Sequence, residues 1–331
     1  MADHWGEVLR GLGLAVRTVA GAGRADRLVP GLAMDAAPGP ELAGALASAL
    51  EGADLVVVEN ICSLPRNPAA ADALAGLLAG RPAILHHHDL PWQRPEIGDL
   101  PGWPPDDPAW CHVTINELSR KQLAEHGIAA TTVYSGFPEP GPGRRELARG
   151  RLGVGGDRRL LLQPTRAIAR KNVPAGLAMA EALGADYWLT GPEEDGYGPE
   201  LARLLAAATC RVHRRLPAGL TMDDAYAACD AVVFPSTWEG FGAPLIEASL
   251  RRLPLAVGDY PVAAELAAFG FAWFPAADPA PLAAFLDDPD PALLDGNAEI
   301  ARLHFSMDAL TSQVAALLDA AGWDRLLPEA G

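Results

Sequence analysis

Apolar positions near the start of the chain fall at Trp5, Val8, Leu9 and Leu12, the spacing of one face of a helix. The run Leu14-Ala15-Val16-Arg17-Thr18-Val19 that follows has β character. Compact apolar runs of strand length then appear at Asp54 to Val58 and Ala83 to Leu85, separated by Ala/Leu-rich helical stretches around 41–50 and 68–79. After a Pro/Gly-rich stretch, Phe137 to Gly143, and an Arg-rich segment through Arg159, the alternation begins again. It predicts strands at 160–163, 186–190, 210–213, 231–234 and 254–257, with helices at 173–183, 199–208, 222–228 and 244–251 between them. Apolar strands alternating with helices predict parallel sheets covered on both faces. The division drawn is 1–145, 146–305 and 306–331, and the last amphipathic helix, about 307–320, suits either domain and is placed back on the first.

Composition sharpens this picture in two ways. The chain has 331 residues, 50% of them hydrophobic, enough for two cores. Its 26 basic and 42 acidic residues leave a formal charge of −16, which argues against nucleic acid or an anionic membrane surface as partner. No stretch approaches the roughly 18 apolar residues of a membrane span, and the first residues lack the basic and apolar regions of a secretory signal, so a cytoplasmic protein is expected. Cys62, Cys111, Cys210 and Cys229 are scattered without a CxxC pair, so neither a zinc site nor a disulfide framework is indicated.

The segment with most chemistry follows the strand Ala231-Val232-Val233 and runs from Phe234 to Ala248. Gly240 and Gly242 let backbone pass close to a ligand, and Pro244 suits the first turn of a helix whose N-terminal N–H groups point outward. Glu239 then lies in the loop and Glu247 in the helix, where both carboxylates can face one crevice. Two bland readings stand beside this: Glu247 complements the helix dipole, and Glu239 is a solvated loop residue. The order Glu-x7-Glu with the internal Gly-Phe-Gly resembles the signature of the retaining GT-B glycosyltransferases of family 4.

That resemblance implies a specific architecture: α/β, two Rossmann-like doubly wound parallel-sheet domains facing across a cleft, the first lacking its leading strand. It implies that Glu239 serves the donor sugar and Glu247 the ribose hydroxyls of a nucleoside diphosphate-sugar, beside the turn Phe241-Gly242-Ala243. A second match is Pro164 to Asn172, between a strand and a helix that Asn172 is placed to cap. There Arg166 and Lys171 match the family pair that grips the diphosphate, whereas Arg170 has no counterpart. A guanidinium fork, an ammonium and a helix N-terminus are suited to neutralise a pyrophosphate as it departs.

A third constellation is Ile84-Leu85-His86-His87-His88-Asp89-Leu90 at a strand end. In strand geometry His86 and His88 share a face and His87 points away, which disfavours a three-histidine metal site. The resemblance matches His88 and Asp89 to a pair near the donor sugar; the packing reading of the histidines stays open. The Pro-rich stretch Asp89 to Trp110 carries Trp92, Trp103 and Trp110, as an acceptor loop or as indoles pinning a long loop to the body.

The resemblance covers about residue 50 to 320 and has departures: Ser135-Gly136 stands where relatives have Asn-Gly, and Pro261 to Glu265 where they have a glycine pair. The expectation is a metal-independent, retaining hexosyltransferase without cofactor, using a UDP- or GDP-sugar donor and a small-molecule or glycan acceptor. The alternative is a nucleotide-sugar-binding protein or partner subunit without transferase activity. A nicotinamide dehydrogenase on a similar fold is a third candidate and is disfavoured, since Gly11-Leu12-Gly13 lies at a helix end without the third glycine and Gly153 to Gly156 precedes a strand.

Overall fold

The computed structural model describes residues 2–327 apart from 38, 65, 95–96 and 98–101. It divides the chain into two units, residues 1–136 with 307–331 and residues 137–306.

In the first unit, α1 (Ala2–Gly11) is followed by two short paired strands, β1 (Val19–Ala20) and β2 (Arg27–Leu28). Then come α2 (Leu42–Ala49), β3 (Val56–Glu59), α3 (Pro68–Leu78), β4 (Ala83–His87), β5 (Trp110–Thr114), α4 (Glu117–Glu125) and β6 (Ala130–Thr132). The strands β3-β4-β5-β6 form one parallel sheet in chain order. The period of two sorts its residues. Val56, Val58, Ala83 and Leu85 meet Leu46 of α2 and Leu74 and Leu78 of α3 on one face. On the other, Ile84 and Val113 meet Trp5, Val8 and Leu9 of α1 together with Leu310, Val314 and Leu317 of the last helix, Met307–Ala320.

The β run read at 14–19 is corrected. Only Val19 enters a strand, and that strand lies outside the main sheet. Asp26 Oδ2 accepts from Thr18 N (2.8 Å) and Oγ1 (2.9 Å), closing the short β1–β2 pair, while Leu14 and Val16 pack beside α1.

The second unit contains α5 (Arg145–Leu152), β7 (Leu160–Gln163), α6 (Val173–Ala182), β8 (Asp186–Leu189), α7 (Gly198–Ala207), β9 (Val212–Arg214) and α8 (Met222–Ala228). It continues with β10 (Ala231–Phe234), α9 (Ala243–Leu250), β11 (Leu255–Val257), α10 (Pro261–Ala267), β12 (Phe274–Pro275), α11 (Pro279–Asp287) and α12 (Pro291–Phe305). Its parallel sheet has the order β12-β11-β10-β7-β8-β9. β7, β8 and β10 are buried at every position, as a sheet covered on both faces requires.

The Arg-rich segment read as part of the break is a helix of this unit, and the division falls at 136/137 rather than 145/146. The reason is local bonding. Phe137 N donates to Phe305 O (2.8 Å), and Arg144 N donates to Asp224 Oδ1 (2.8 Å). From α5, Arg145 donates to the carbonyls of Ala227, Ala228 and Cys229, satisfying the C-terminus of α8. Arg149 is 3% exposed and reaches Ala228 O (2.9 Å), Asp230 Oδ2 (3.3 Å) and the carbonyls of Gly155 and Arg158. Replacing it removes a buried cation from Asp230 and a donor from each of these carbonyls, so Arg149→Ala is expected to destabilise the unit by about 3 kcal/mol. Chemical denaturation checks this, and Arg149→Lys should recover little, because one ammonium cannot span acceptors on three sides.

Candidate functional site

In the six-stranded sheet, β7, β8 and β9 proceed to one side and β10, β11 and β12 to the other. The chain therefore diverges between β7 and β10, and in such sheets ligands bind beyond the carboxyl ends of that pair. Both motif loops of this unit leave from there, 164–172 after β7 and 235–242 after β10.

Gln163, the fully buried last residue of β7, shapes the first loop. Its Nε2 donates to Thr165 Oγ1 (3.1 Å) and to the Lys171 carbonyl (2.9 Å), and its Oε1 accepts from Tyr187 Oη (2.7 Å). Ala169–Lys171 form one tight turn, and Asn172 at φ 50° leads into α6. The side-chain cap expected of Asn172 is not made; what asparagine supplies is tolerance of the left-handed backbone.

The turn presents two cations to one carboxylate. Lys171 Nζ donates to Glu239 Oε1, and Arg170 Nη1 donates to Glu239 Oε2 (2.6 Å) and to the Trp238 carbonyl (3.0 Å). The Arg170 carbonyl in turn accepts from Thr237 N (2.9 Å) and Oγ1 (3.3 Å), so main chain and side chain of one residue latch the 237–239 loop. Lys171 and Glu239 are buried, 8% and 6% exposed. Burial pushes the Lys171 ammonium down from its ordinary range, against the pull of Glu239. Arg166 stands apart: it is exposed and paired with Glu194 (2.6 Å). Sequence reasoning therefore set aside the arginine that touches Glu239 and chose the one that does not. The adjacency of Arg170 to Lys171 at a tight turn was the available signal.

Gly242 is the N-cap of α9, at φ 97°, and a Cβ there would lie 2.6 Å from Tyr260 Oη and 3.2 Å from the Phe234 ring. Phe241 is an apolar anchor, its ring 5.8 Å from Phe137 and 6.0 Å from Phe305. Ala243 is the first residue of α9. Glu247, also on α9, accepts from Tyr226 Oη (2.7 Å), and the Arg251 guanidinium lies 4.5 Å over the Tyr226 ring. The two glutamates expected in one crevice thus engage separate partners. Around the same loops, Ser236 Oγ, Trp238 Nε1 and Tyr260 Oη are buried without a partner among the described residues, the mark of a surface that hydrogen-bonds to something other than itself.

In the first unit, β3 and β4 pair with Glu59 opposite His86. His86 Nδ1 (2.9 Å) and His88 Nε2 (2.8 Å) both meet Glu59 Oε2. Burial pushes the Glu59 carboxyl up, but the two imidazole hydrogen bonds outweigh it and hold its pKa at about 2. His87 faces the other way, as the strand period requires, into a chain of its own: Ser63 Oγ to His87 Nδ1 (2.7 Å), His87 Nε2 to His112 Nδ1 (2.9 Å), His112 Nε2 to Asp106 Oδ1 (3.1 Å). Burial keeps both of these imidazoles below their ordinary pKa. Asp89 accepts from Arg94 Nη2 (2.7 Å), and its N–H, like that of His88, donates to Asn60 Oδ1. Glu59, Ser63 and Asn60 were missed because their partners lie a strand away.

The indoles pin the loop. Trp92 stacks on His126 (3.8 Å) and donates to Gln122, Trp103 donates to the Ser63 carbonyl, and Trp110 to the Leu78 carbonyl. Residues 95–96 and 98–101 of that stretch lie outside the described residues. No described helix is long and apolar enough to cross a membrane.

Residues 145–288 match the family of glycosyl transferases group 1, so the unit that holds the Lys171–Glu239 cluster carries a glycosyl transferases group 1 domain. Along 271 residues the chain is 25% identical to the mannosylglucosylglycerate synthase of Petrotoga mobilis, an alignment that takes in 66% of this chain and 62% of that one. The chain thus spans less than two thirds of the length of this relative. It superposes on a glycosyltransferase from Rickettsia africae with a TM-score of 0.70 at 15% identity, over 99% of this chain and 94% of that one. It superposes on Anabaena HepE in complex with UDP and glucose with a TM-score of 0.65 at 17% identity, over 85% and 81%. These likenesses establish the fold as GT-B.

Gly242→Ala is expected to destabilise the second unit by about 1–3 kcal/mol, since it adds a Cβ against Tyr260 and strains a left-handed residue. Thermal denaturation measures the loss, and Tyr260→Phe in the same background should restore part of it by removing the nearest atom.

Proposed function

We propose that this chain is a retaining, metal-independent glycosyltransferase that takes a sugar from a UDP- or GDP-sugar in its second unit. The observation that carries this reading is the buried Lys171–Glu239–Arg170 cluster at the diverging strands of the glycosyl transferases group 1 domain. The fold neighbour HepE was crystallised with UDP, and the name of the Petrotoga synthase refers to a mannosyl glycoside of glucosylglycerate; both favour a nucleotide-linked hexose donor here.

In this reading Lys171 and Arg166 neutralise the diphosphate, with the ammonium exchanging part of its bond to Glu239 for a phosphate oxygen. Arg170 keeps Glu239 aimed at hydroxyls of the donor sugar, and Glu247, held by Tyr226, receives the ribose hydroxyls. The turn Phe241-Gly242-Ala243 brings backbone to the donor. The acceptor is a small molecule or glycan. As the anomeric C–O bond to phosphate breaks, the acceptor oxygen bonds from the same face and gives its proton to the departing phosphate oxygen. A cytoplasmic location, where nucleotide-sugars are made, fits this chemistry.

UDP or GDP at about 100 times its dissociation constant, without metal, should stabilise the chain by about 2.7 kcal/mol and raise its Tm by several degrees. The Arg166→Ala/Lys171→Ala double variant should abolish the shift. A shift without sugar transfer, assayed on a panel of UDP- and GDP-hexoses and glycosidic acceptors, would replace this reading by a nucleotide-sugar-binding protein. No shift with either nucleotide would overturn both.

A further inference from the structure

We propose that Glu59, His86 and His88 of the first unit form a binding site for a divalent transition-metal ion. The three donor atoms are Glu59 Oε2, His86 Nδ1 and His88 Nε2, and all lie within 4.8 Å of one another. Their separations are 2.8, 2.9 and 3.4 Å. Atoms bound at about 2.0–2.1 Å to a tetrahedral ion stand about 3.3 Å apart, so small adjustments place all three on one ion.

Without an ion, both imidazoles present N–H groups to one oxygen, Glu59 Oε2, which accepts both. With the tautomers reversed, an ion would take the two nitrogen lone pairs and the carboxylate oxygen in place of those hydrogen bonds. Glu59 Oε1 is also buried without a partner among the described residues and is available for a second bond to the ion.

The backbone sets these groups in advance. Glu59 and His86 are register partners across a parallel ladder, and His88 is two residues on along the same face. Asn60, at φ 62°, accepts from the N–H groups of His88 and Asp89, tying the turn after β4 to the end of β3. Trp5 covers the His86 ring at 4.7 Å, while His88 and Glu59 keep 25% and 24% exposure. The ion would therefore be closed on the His86 side and open to water or an oxygen ligand on the other. Two imidazoles and one carboxylate select zinc, cobalt or nickel over magnesium, which prefers oxygen alone.

The test uses tag-free full-length protein titrated with cobalt(II), followed by visible absorption, and with zinc(II), followed by calorimetry. The expected result is one ion per chain with d–d bands of a nitrogen/oxygen site. His88→Ala and Glu59→Gln should weaken binding by about 100-fold or more, since even partners of ligands contribute 10–100-fold. His126→Ala, on an exposed histidine elsewhere, should change nothing. No band and no heat with the wild-type chain, or equal binding by His88→Ala and Glu59→Gln, would overturn the proposal. The nucleotide-induced Tm shift, measured on the same samples, reports the donor reading separately, so either can fail alone.

Discussion

The second unit depends on holding a lysine ammonium and a glutamate side by side where water scarcely reaches. Neither Lys171 nor Glu239 is tolerable alone at 8% and 6% exposure. Each compensates the other, and Arg170 occupies the remaining carboxylate oxygen. The constraint reaches outward through the backbone: Gln163 fixes the carbonyl of Lys171, Tyr187 fixes Gln163, and the Arg170 carbonyl fixes Thr237. Loops from two strands that part company in the topology are thereby stitched together, and the stitching is electrostatic rather than apolar.

Such a cluster is suited to an anionic ligand for a reason of charge count. Two cations share one carboxylate, so the site carries a net positive charge even when every hydrogen bond is satisfied. An approaching phosphate finds cations already oriented and desolvated, and little reorganisation is required. The buried unpaired groups Ser236 Oγ, Trp238 Nε1 and Tyr260 Oη complete the same surface with neutral hydrogen-bonding capacity.

What could be read from the chain follows how local the responsible physics is. The strands at 160–163 and 231–234 and the helices at 222–228 and 307–320 were legible to the residue, because apolar period and flanking breakers coincide there. β5, with Trp110, Cys111 and His112, and β6, with Ala130-Thr131-Thr132, mix polar residues into short runs and were not read as strands. α5 was hidden by its arginines, which are polar in composition yet serve to satisfy carbonyls at the end of α8. In the site, Glu239 and Lys171 were chosen by motif, but their mutual bond and the role of Arg170 required the loops to be brought together in space.

The histidine run shows the same limit from the opposite side. Strand alternation alone separated His87 from His86 and His88, and the structure follows it, with His87 in a relay to Ser63 and His112 and the other two on Glu59. Alternation says which face a side chain takes, not what waits there. Glu59 becomes the partner only because β3 pairs with β4 in the register that sets it against His86, and a register is a property of two strands. A reading that looks only at three consecutive histidines stays on one strand, while the structure sets two of them against a carboxylate of the neighbouring strand. The chemistry of a parallel sheet's carboxyl edge therefore has to be sought across strands as well as along them.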